Sequence, residues 1–504
     1  MKNNIVLRLF LLLILSVTAN QITGQTSYAI ESEAVGGSGI HTPFWMMSKK
    51  HGLSSATLNN GYIRVGIVQD YKNESNFSFR YGLDVVKAEN YTSEFILQQA
   101  YFDVQFYNKY ELSMGSKEIP SLFKNQELSS GSMCWSGNAR PIPMIRFSTN
   151  DFISYPWLFK RMLKVKAVCS FGWFTDGQFQ KDRVVFDPKV TNSSFTNFYN
   201  SDLLYHQKEL YLKLDLPKSP WSMTIGMEMK VQFGGDKYYY KDGNIEVVHT
   251  PATLKHYWMA FFPSRGDNTS AIPDQQFIFG NTVGTEHVII EYKKPTYQLK
   301  GYLENFFEDF GGMAKKNGLD GLWGIEYANK RETGITDVVL EYLQTTNQGG
   351  AIHWAPSDYP GVKLTNEATG NDDYYNNGMY TGWEHWGMTN GNPLLSSPIY
   401  NTDGSMRIEN NRVKAYHLGI SGRFNKELEA RLLTTYTDGW GRHYQPFLSI
   451  KSNYSAFTEF DFSPQKLNGW KFTASAGLDR GTLYGNNQAL LLKISKKGMI
   501  FGTK

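Results

Sequence analysis

The sequence predicts an all-β fold, a transmembrane antiparallel β-barrel of the outer-membrane type, and three observations carry that prediction. Segments in which apolar and polar residues alternate recur along the whole chain, the signature of strands with one greasy and one wet face. Aromatic residues make up 15% of the chain, with 31 Tyr, 32 Phe and 12 Trp, yet mean hydropathy is −0.42. A lipid-facing band around a hydrated lumen needs that mixture. Beyond the N-terminal segment there is no run of about 18 apolar residues, so no helix is expected to cross a membrane.

The N-terminus reads as a secretory signal. Lys2 and Arg8 precede "LFLLLILSV" (Leu9 to Val17) and the small residues of "VTAN", an apolar run too short to span a bilayer as a helix. Residues 1–24 are therefore assigned to the signal, with cleavage between Ala19 and Gly24, and 25–504 to a single barrel domain.

Ten segments alternate clearly. "WSMTIGMEMKVQF" (Trp221 to Phe233) sets Trp221, Met223, Ile225, Met227, Met229, Val231 and Phe233 on one face against Ser222, Thr224, Gly226, Glu228, Lys230 and Gln232 on the other. The others begin at Phe77, Ala100, Glu209, Tyr297, Gly321, Asp337, Lys414, Glu427 and Gly469. A soluble sandwich also alternates. Several of these runs, however, approach the roughly 9–11 residues a tilted membrane strand needs, and aromatics such as Trp221 and Phe233 sit at their ends as interfacial girdles would. Tight connections ("LPKSP", "RFNKEL") contrast with long polar ones at 234–281 and 344–411, the expected asymmetry of short periplasmic turns and long outer loops. At roughly 25 residues per strand and connection, the mature chain holds about 16–20 strands.

"SSGSMCWSGNARPIPMIRFSTNDFISYP" (Ser129 to Pro156) breaks the pattern. Pro141 and Pro143 each remove a ladder donor, so the segment cannot be a central strand. It reads as a plug or rim element built on Asn138, Arg140, Pro141, Pro143 and Arg146, with the two arginines set against lumen carboxylates. The segment resembles the signature of the Wzi family of capsule assembly proteins, which carry a Gly-Asn-Ala-Arg-Pro-Pro type motif in the same relative place. "LYHQKELYLKL" (Leu204 to Leu214), "GMEMKVQFGG" (Gly226 to Gly235) and "DDYYNNGMYTGWEHWGMTNGNPL" (Asp372 to Leu394) are similar to other parts of that family, in order along most of the mature chain. The end, "GMIFGTK", departs from the usual terminal aromatic. The resemblance implies a monomeric outer-membrane barrel of about eighteen strands, with short helices closing its periplasmic end. It also implies outer loops that hold capsular polysaccharide at the surface of a Gram-negative cell.

A polysaccharide needs flat apolar faces for sugar C–H surfaces and polar groups for hydroxyls. Asp373, Tyr374, Tyr375, Tyr380, Trp383, Glu384 and Trp386, with Asp372 and His385 among them, supply these within one loop. "YYYKDG" (Tyr238 to Gly243) and "AIHWAP" (Ala351 to Pro356) are weaker candidates of the same kind. The other expected partners are outer-membrane lipid and lipopolysaccharide. A net charge of +4 makes no polybasic case for nucleic acid. No catalytic residues, cofactor or metal are predicted: the histidines show no ligand spacing, Glu384 and His385 are adjacent rather than on one helix face, and there is no nucleophile elbow or phosphate loop. Two cysteines, Cys134 and Cys169, leave pairing open. The rival reading is a substrate-selective porin or solute channel, which an open lumen would favour.

Overall fold

The computed structural model describes residues 24–501 except 73–75, 188, 195, 271–273, 275–277, 319 and 354–367. Residues 1–23 of the signal segment and Trp354 to Pro356 of the "AIHWAP" candidate lie outside the described residues. Eighteen strands form the wall: β1 (Thr26–Ser38), β2 (Asn60–Gln69), β3 (Phe77–Glu89), β4 (Phe95–Phe106), β5 (Tyr110–Ser116), β6 (Met144–Thr149), β7 (Leu163–Trp173), β8 (Leu204–Asp215), β9 (Trp221–Phe233), β10 (Asn281–Lys293), β11 (Tyr297–Phe307), β12 (Gly321–Asn329), β13 (Gly334–Gln344), β14 (Val413–Arg423), β15 (Leu428–Gly441), β16 (Pro446–Phe462), β17 (Trp470–Gly481) and β18 (Asn487–Phe501). A two-residue piece, Ile153–Ser154, continues the β6 side of β7. Neighbours pair antiparallel throughout. β1 bonds both β2 and β18, with Ser38 opposite Gln488 and Thr26 opposite Phe501, so the cylinder is closed and no edge is left open. Strand β18 thus uses the chain to Phe501 despite its unusual ending.

Both described termini lie at one end of the cylinder. Connections at that end are mostly short, the longest being 150–162, which includes the 153–154 piece, whereas 39–59, 117–143, 174–203, 234–280, 308–320 and 345–412 all leave from the other. By the asymmetry of outer-membrane barrels the short turns are periplasmic and the long connections external. The helices sit on the long side: α1 (Phe44–Met47), α2 (Gly177–Arg183), α3 (Leu254–Phe261) and α4 (Phe310–Met313). This corrects the expectation of helices closing the periplasmic end. Among the described residues that end has only turns and a single 3-10 turn, Phe159–Arg161.

The alternation of β9 separates two environments. Trp221, Met223, Ile225 and Met227 are exposed outward, while Glu228, Lys230 and Gln232 are buried inward. At some wall glycines a ring fills the place of the side chain: a Cβ on Gly226 would meet the Tyr211 ring at 2.1 Å, and Tyr211 lies directly across the ladder. Outward aromatics mark the strand ends. Trp323, Tyr342, Tyr416, Tyr436 and Tyr454 are successive register partners on β12 to β16, near the outer ends of β12, β13 and β14 and further in on the longer β15 and β16. Near the turns, Trp221 and Tyr292 lie 4.6 Å apart and Tyr297 and Tyr327 6.1 Å apart. Phe233 does not belong to this set. It is fully buried, because α3 covers the outer ends of β7 to β9.

The largest hydrophobic core lies inside the barrel rather than in its wall. It joins Trp45 of α1, Leu128, Met133 and Ile142 of 117–143, and Tyr374, Trp383 and Leu394 of 345–412 to inward residues of the strands such as Tyr205 and Phe306. Cys134 is buried in that core. Cys169 lies on β7 between the inward-facing Val168 and Ser170, so it points outward. The wall separates the two thiols, and both are free.

Candidate functional site

Two external connections fold back into the lumen and fill its outer half, joined there by α1 of the 39–59 connection. The first, 117–143, descends far along the wall: the Phe123 carbonyl accepts from Lys300 Nζ at 2.7 Å and the Asn125 amide donates to Glu326 Oε1 at 2.9 Å. Two wall carboxylates then grip the segment. Glu341 of β13 accepts from Ser129 Oγ and from the Ser130 amide, both at 2.6 Å. Glu304 of β11 accepts from Ser132 Oγ at 2.8 Å and from the Met133 amide at 2.9 Å. Each pair satisfies a backbone donor that an irregular chain would otherwise bury unpaired. Three serines in "SSGS" and two wall glutamates therefore work as one device, to which the strand pattern gave no pointer. Lone carboxylates at the same depth on two strands, opposite a segment rich in hydroxyls, were the available signal.

The second connection, 345–412, locks onto the first. Trp383 Nε1 donates to the Cys134 carbonyl at 2.9 Å and Tyr375 Oη to the Met133 carbonyl. The Ser136 amide donates to the Asn390 carbonyl at 3.0 Å, and Asn392 Nδ2 to the Gly131 carbonyl at 2.7 Å. Gly391 is required here, since a Cβ would come within 2.2 Å of the Tyr375 hydroxyl and 2.4 Å of the Met133 carbonyl oxygen.

The residues expected to meet sugar are mostly inside this plug. Tyr374, Tyr375, Tyr380, Trp383 and Glu384 are at most 1% exposed. They are core, and direct contact with polysaccharide is corrected for all five. Their rings cover one another and the wall, as where Trp383 stacks with Tyr205 at 6.1 Å. Burial, aided by Asp176, pushes the Glu384 carboxyl well above the usual carboxylate range. Gln180 Nε2 and the Gly387 amide donate to it at 2.9 and 2.8 Å. His385, its basicity lowered chiefly by burial, pairs through Nδ1 with the Arg140 carbonyl at 2.9 Å. Asp373 and Trp386 remain partly accessible.

The motif segment divides between plug and wall. Asn138 is fully buried, accepting from the Lys49 amide at 3.0 Å and donating Nδ2 to the Thr389 carbonyl at 3.1 Å. Arg140 was expected to face a carboxylate. It donates instead to Thr92 Oγ1 at 2.5 Å and lies 4.2 Å over the Trp386 ring. Pro141 and Pro143 expose their carbonyls to Ser116 Oγ and to the Trp173 amide. Arg146 stands on β6, 3.8 Å from Glu111, so it is a wall residue with the expected acidic neighbour.

Accessible chemistry lies at two outer places. A pocket of ≈430 Å³ at the β15–β16 turn is lined by Glu409, Arg442, Gln445, Phe447 and Lys451. Arg442 is paired with Asp373, and Lys451 lies 4.2 Å over the Phe447 ring. Beside the mouth stands a small sheet of 198–201, 235–241 and 244–250, in which Tyr199 and Tyr238 stack at 4.7 Å. The weaker "YYYKDG" candidate is thus more accessible than the stronger one. At the opposite end a polar vestibule of ≈460 Å³ is lined by Arg431, Glu459, Asp461, Lys471 and Lys493, among others. Among the described residues Glu228, His287 and Glu304 approach one another within 4.8 Å. Lys230 pairs with Glu228, and Lys124 lies 3.3 Å from Glu304, so the trio belongs to a balanced ion network between plug and wall.

A closed barrel with an apolar outer band and long external loops is an outer-membrane protein of a Gram-negative bacterium, and this chain is one. No protein-family model matches the sequence, and no curated protein is similar to it in sequence. Among solved structures it is similar to Wzi, described as an outer membrane protein involved in group 1 capsule assembly in Escherichia coli and a carbohydrate-binding β-barrel. Identity is 11% and TM-score 0.55, over 98% of this chain and 88% of that one. It is also similar to OccK5 (OpdH) of Pseudomonas aeruginosa, with 10% identity and TM-score 0.44 over 95% and 99% of the two chains. For OprD of the same organism the values are 7% and 0.42, over 95% and 96%. At these identities the likeness shows the fold.

Proposed function

We propose that the chain is a Wzi-like, non-enzymatic outer-membrane protein that binds surface polysaccharide and helps assemble or anchor capsule, acting as a monomer. The observation that carries this reading is the plug. Two connections that seal each other with buried aromatics and wall carboxylates suit a protein that holds its ligand outside rather than passing it through. The outer pocket offers groups an acidic glycan can use: the Lys451 ammonium, a flat ring at Phe447, and amide and carboxylate groups at Gln445 and Glu409, with Arg442 lining it while paired to Asp373. Capsular polysaccharide, and lipopolysaccharide beside the barrel, are the partners this surface fits.

The second reading, a substrate-selective channel, is favoured by the charged vestibule below the plug, which a solute could enter from the periplasm. Purified protein in a planar bilayer separates the two. The capsule reading expects no stable current, retention of the native capsular glycan in a pull-down, and loss of that retention in Arg442→Ala/Lys451→Ala. Large stable open-channel currents would overturn it in favour of the channel.

A further inference from the structure

The outer face of the wall carries one helix that the strand pattern does not explain. Thr253 caps α3, with its amide and hydroxyl 3.2 and 2.8 Å from His256 Nδ1. The helix lies on the outside of the cylinder, as the alternation of β8 requires. Tyr205, Gln207 and Glu209 face the lumen, so His206 and Lys208 face out, and these are the groups α3 covers. Phe261 sits 5.5 Å from His206, and Tyr257 sits 5.4 Å from Phe171 and 5.2 Å from Phe233. Lys208 Nζ donates to the Phe261 carbonyl, capping the helix C-terminus.

The position along the wall is set by register. The row Phe171, His206, Val231 and the row Cys169, Lys208, Met229 lie under or beside the helix. The next outward pair, Leu210 and Met227, is already exposed, as is Ile225 beyond it. The helix therefore begins where the lipid-facing band ends. Its outer stripe, continued by Phe262 just past its C-terminus, is apolar: Leu254, Trp258 and Phe262 recur at i, i+4 and i+8 and are 89%, 65% and 50% exposed. Trp258 and Phe262 touch each other at 4.7 Å.

We propose that Leu254–Phe262 is an interfacial anchor that seats Leu254, Trp258 and Phe262 in the outer leaflet, at the boundary between acyl chains and headgroups. Continuity with the exposed apolar rows of β8 and β9 selects lipid as the occupant. An amphipathic helix with Trp, Phe and Leu on one side is the residue set that this boundary holds. The anchor is independent of what the outer mouth binds. It ties the 234–280 connection, and with it the small outer sheet, to a fixed height above the membrane.

The test uses the full-length protein in phosphatidylcholine vesicles carrying bromine at defined acyl positions, with the emission of Trp258 taken as wild type minus Trp258→Phe. The expected result is a blue-shifted Trp258 emission that is lost to bromines near the acyl carbonyl and spared by aqueous acrylamide. Quenching by acrylamide instead of bromine would place Trp258 in water and overturn the proposal. Protection from both quenchers would mean that a second protein surface covers the stripe, and would overturn it equally. Trp258→Phe keeps an apolar ring at an exposed position, so folding is retained, and unchanged migration of the unheated barrel on a gel verifies this.

Discussion

Trp383→Ala is the most direct trial of the plug. The indole is fully buried, packs on Tyr205 at 6.1 Å and Phe174 at 6.4 Å, and donates Nε1 to the Cys134 carbonyl at 2.9 Å. Removing a buried Trp costs about 3–5 kcal/mol in transfer and cavity terms. The stranded Cys134 carbonyl adds about 1–3 kcal/mol. The total, about 4–8 kcal/mol, is of the order of a whole domain's stability of about 5–15 kcal/mol, yet none of it falls on the hydrogen bonds of the eighteen-stranded ladder. The expected outcome is a barrel that remains closed and folded by circular dichroism while its plug loosens. Current through a planar bilayer should appear where the parent protein is expected to pass none, and 129–143 should become open to protease. A variant as silent and as protease-resistant as the parent would refute the idea that this indole joins the two plug segments.

The other predictions concern parts of the same device. Glu341→Ala strands Ser129 Oγ, the Ser130 amide and the Tyr302 hydroxyl, and should cost about 2–4 kcal/mol in chemical unfolding, whereas removing the fully exposed Glu94 should change nothing measurable. Gly391→Ala should destabilise the plug by about 1–3 kcal/mol through overpacking against Tyr375 and Met133, read as faster hydrogen exchange in 129–143. Burial holds the carboxyl of Asp372 up to about 8 and that of Asp320 up to about 6. Both folded values exceed the unfolded one, so the stability they contribute is full below about pH 4 and falls as pH rises through 6 to 8. The segment around 372–376 should therefore exchange amides faster, after correction for intrinsic rates, at pH 8 than at pH 5, and the opposite trend would contradict the assignment.

The wall was legible because a strand in a membrane barrel has a different solvent on each side, and residues such as Met223 and Lys230 report that contrast locally. The interruption at Pro141 and Pro143 likewise marked 129–143 as chain that could not be wall, although the same stretch goes on into β6 at Met144. The glycan-site expectation failed for a physical reason. Trp383 and Tyr375 sit in a long loop with the composition of a surface, and what buries them is a pair of carbonyls about 250 residues earlier in the chain. Nothing in the loop's own sequence states that its partner lies inside the lumen. Helix α3 was more accessible to inference, since the Thr253 cap and the spacing of Leu254, Trp258 and Phe262 are both local signals.

The plug reaches the wall in several directions at once: Glu304 on β11, Glu341 on β13, Thr435 on β15, whose hydroxyl accepts from Trp45 Nε1 at 3.0 Å, Asp479 on β17, which accepts from the Phe44 amide at 3.0 Å, and Gln98 on β4, whose Nε2 donates to the His51 carbonyl at 3.0 Å. Mechanically these contacts are spokes in a hoop. An unfilled cylinder of this circumference can flatten under the lateral pressure of a bilayer, but a spoked one keeps its cross-section. Whatever binds at the outer rim therefore meets a frame of fixed diameter, and a pull on one external loop is shared around the ring instead of deforming the strands that carry it.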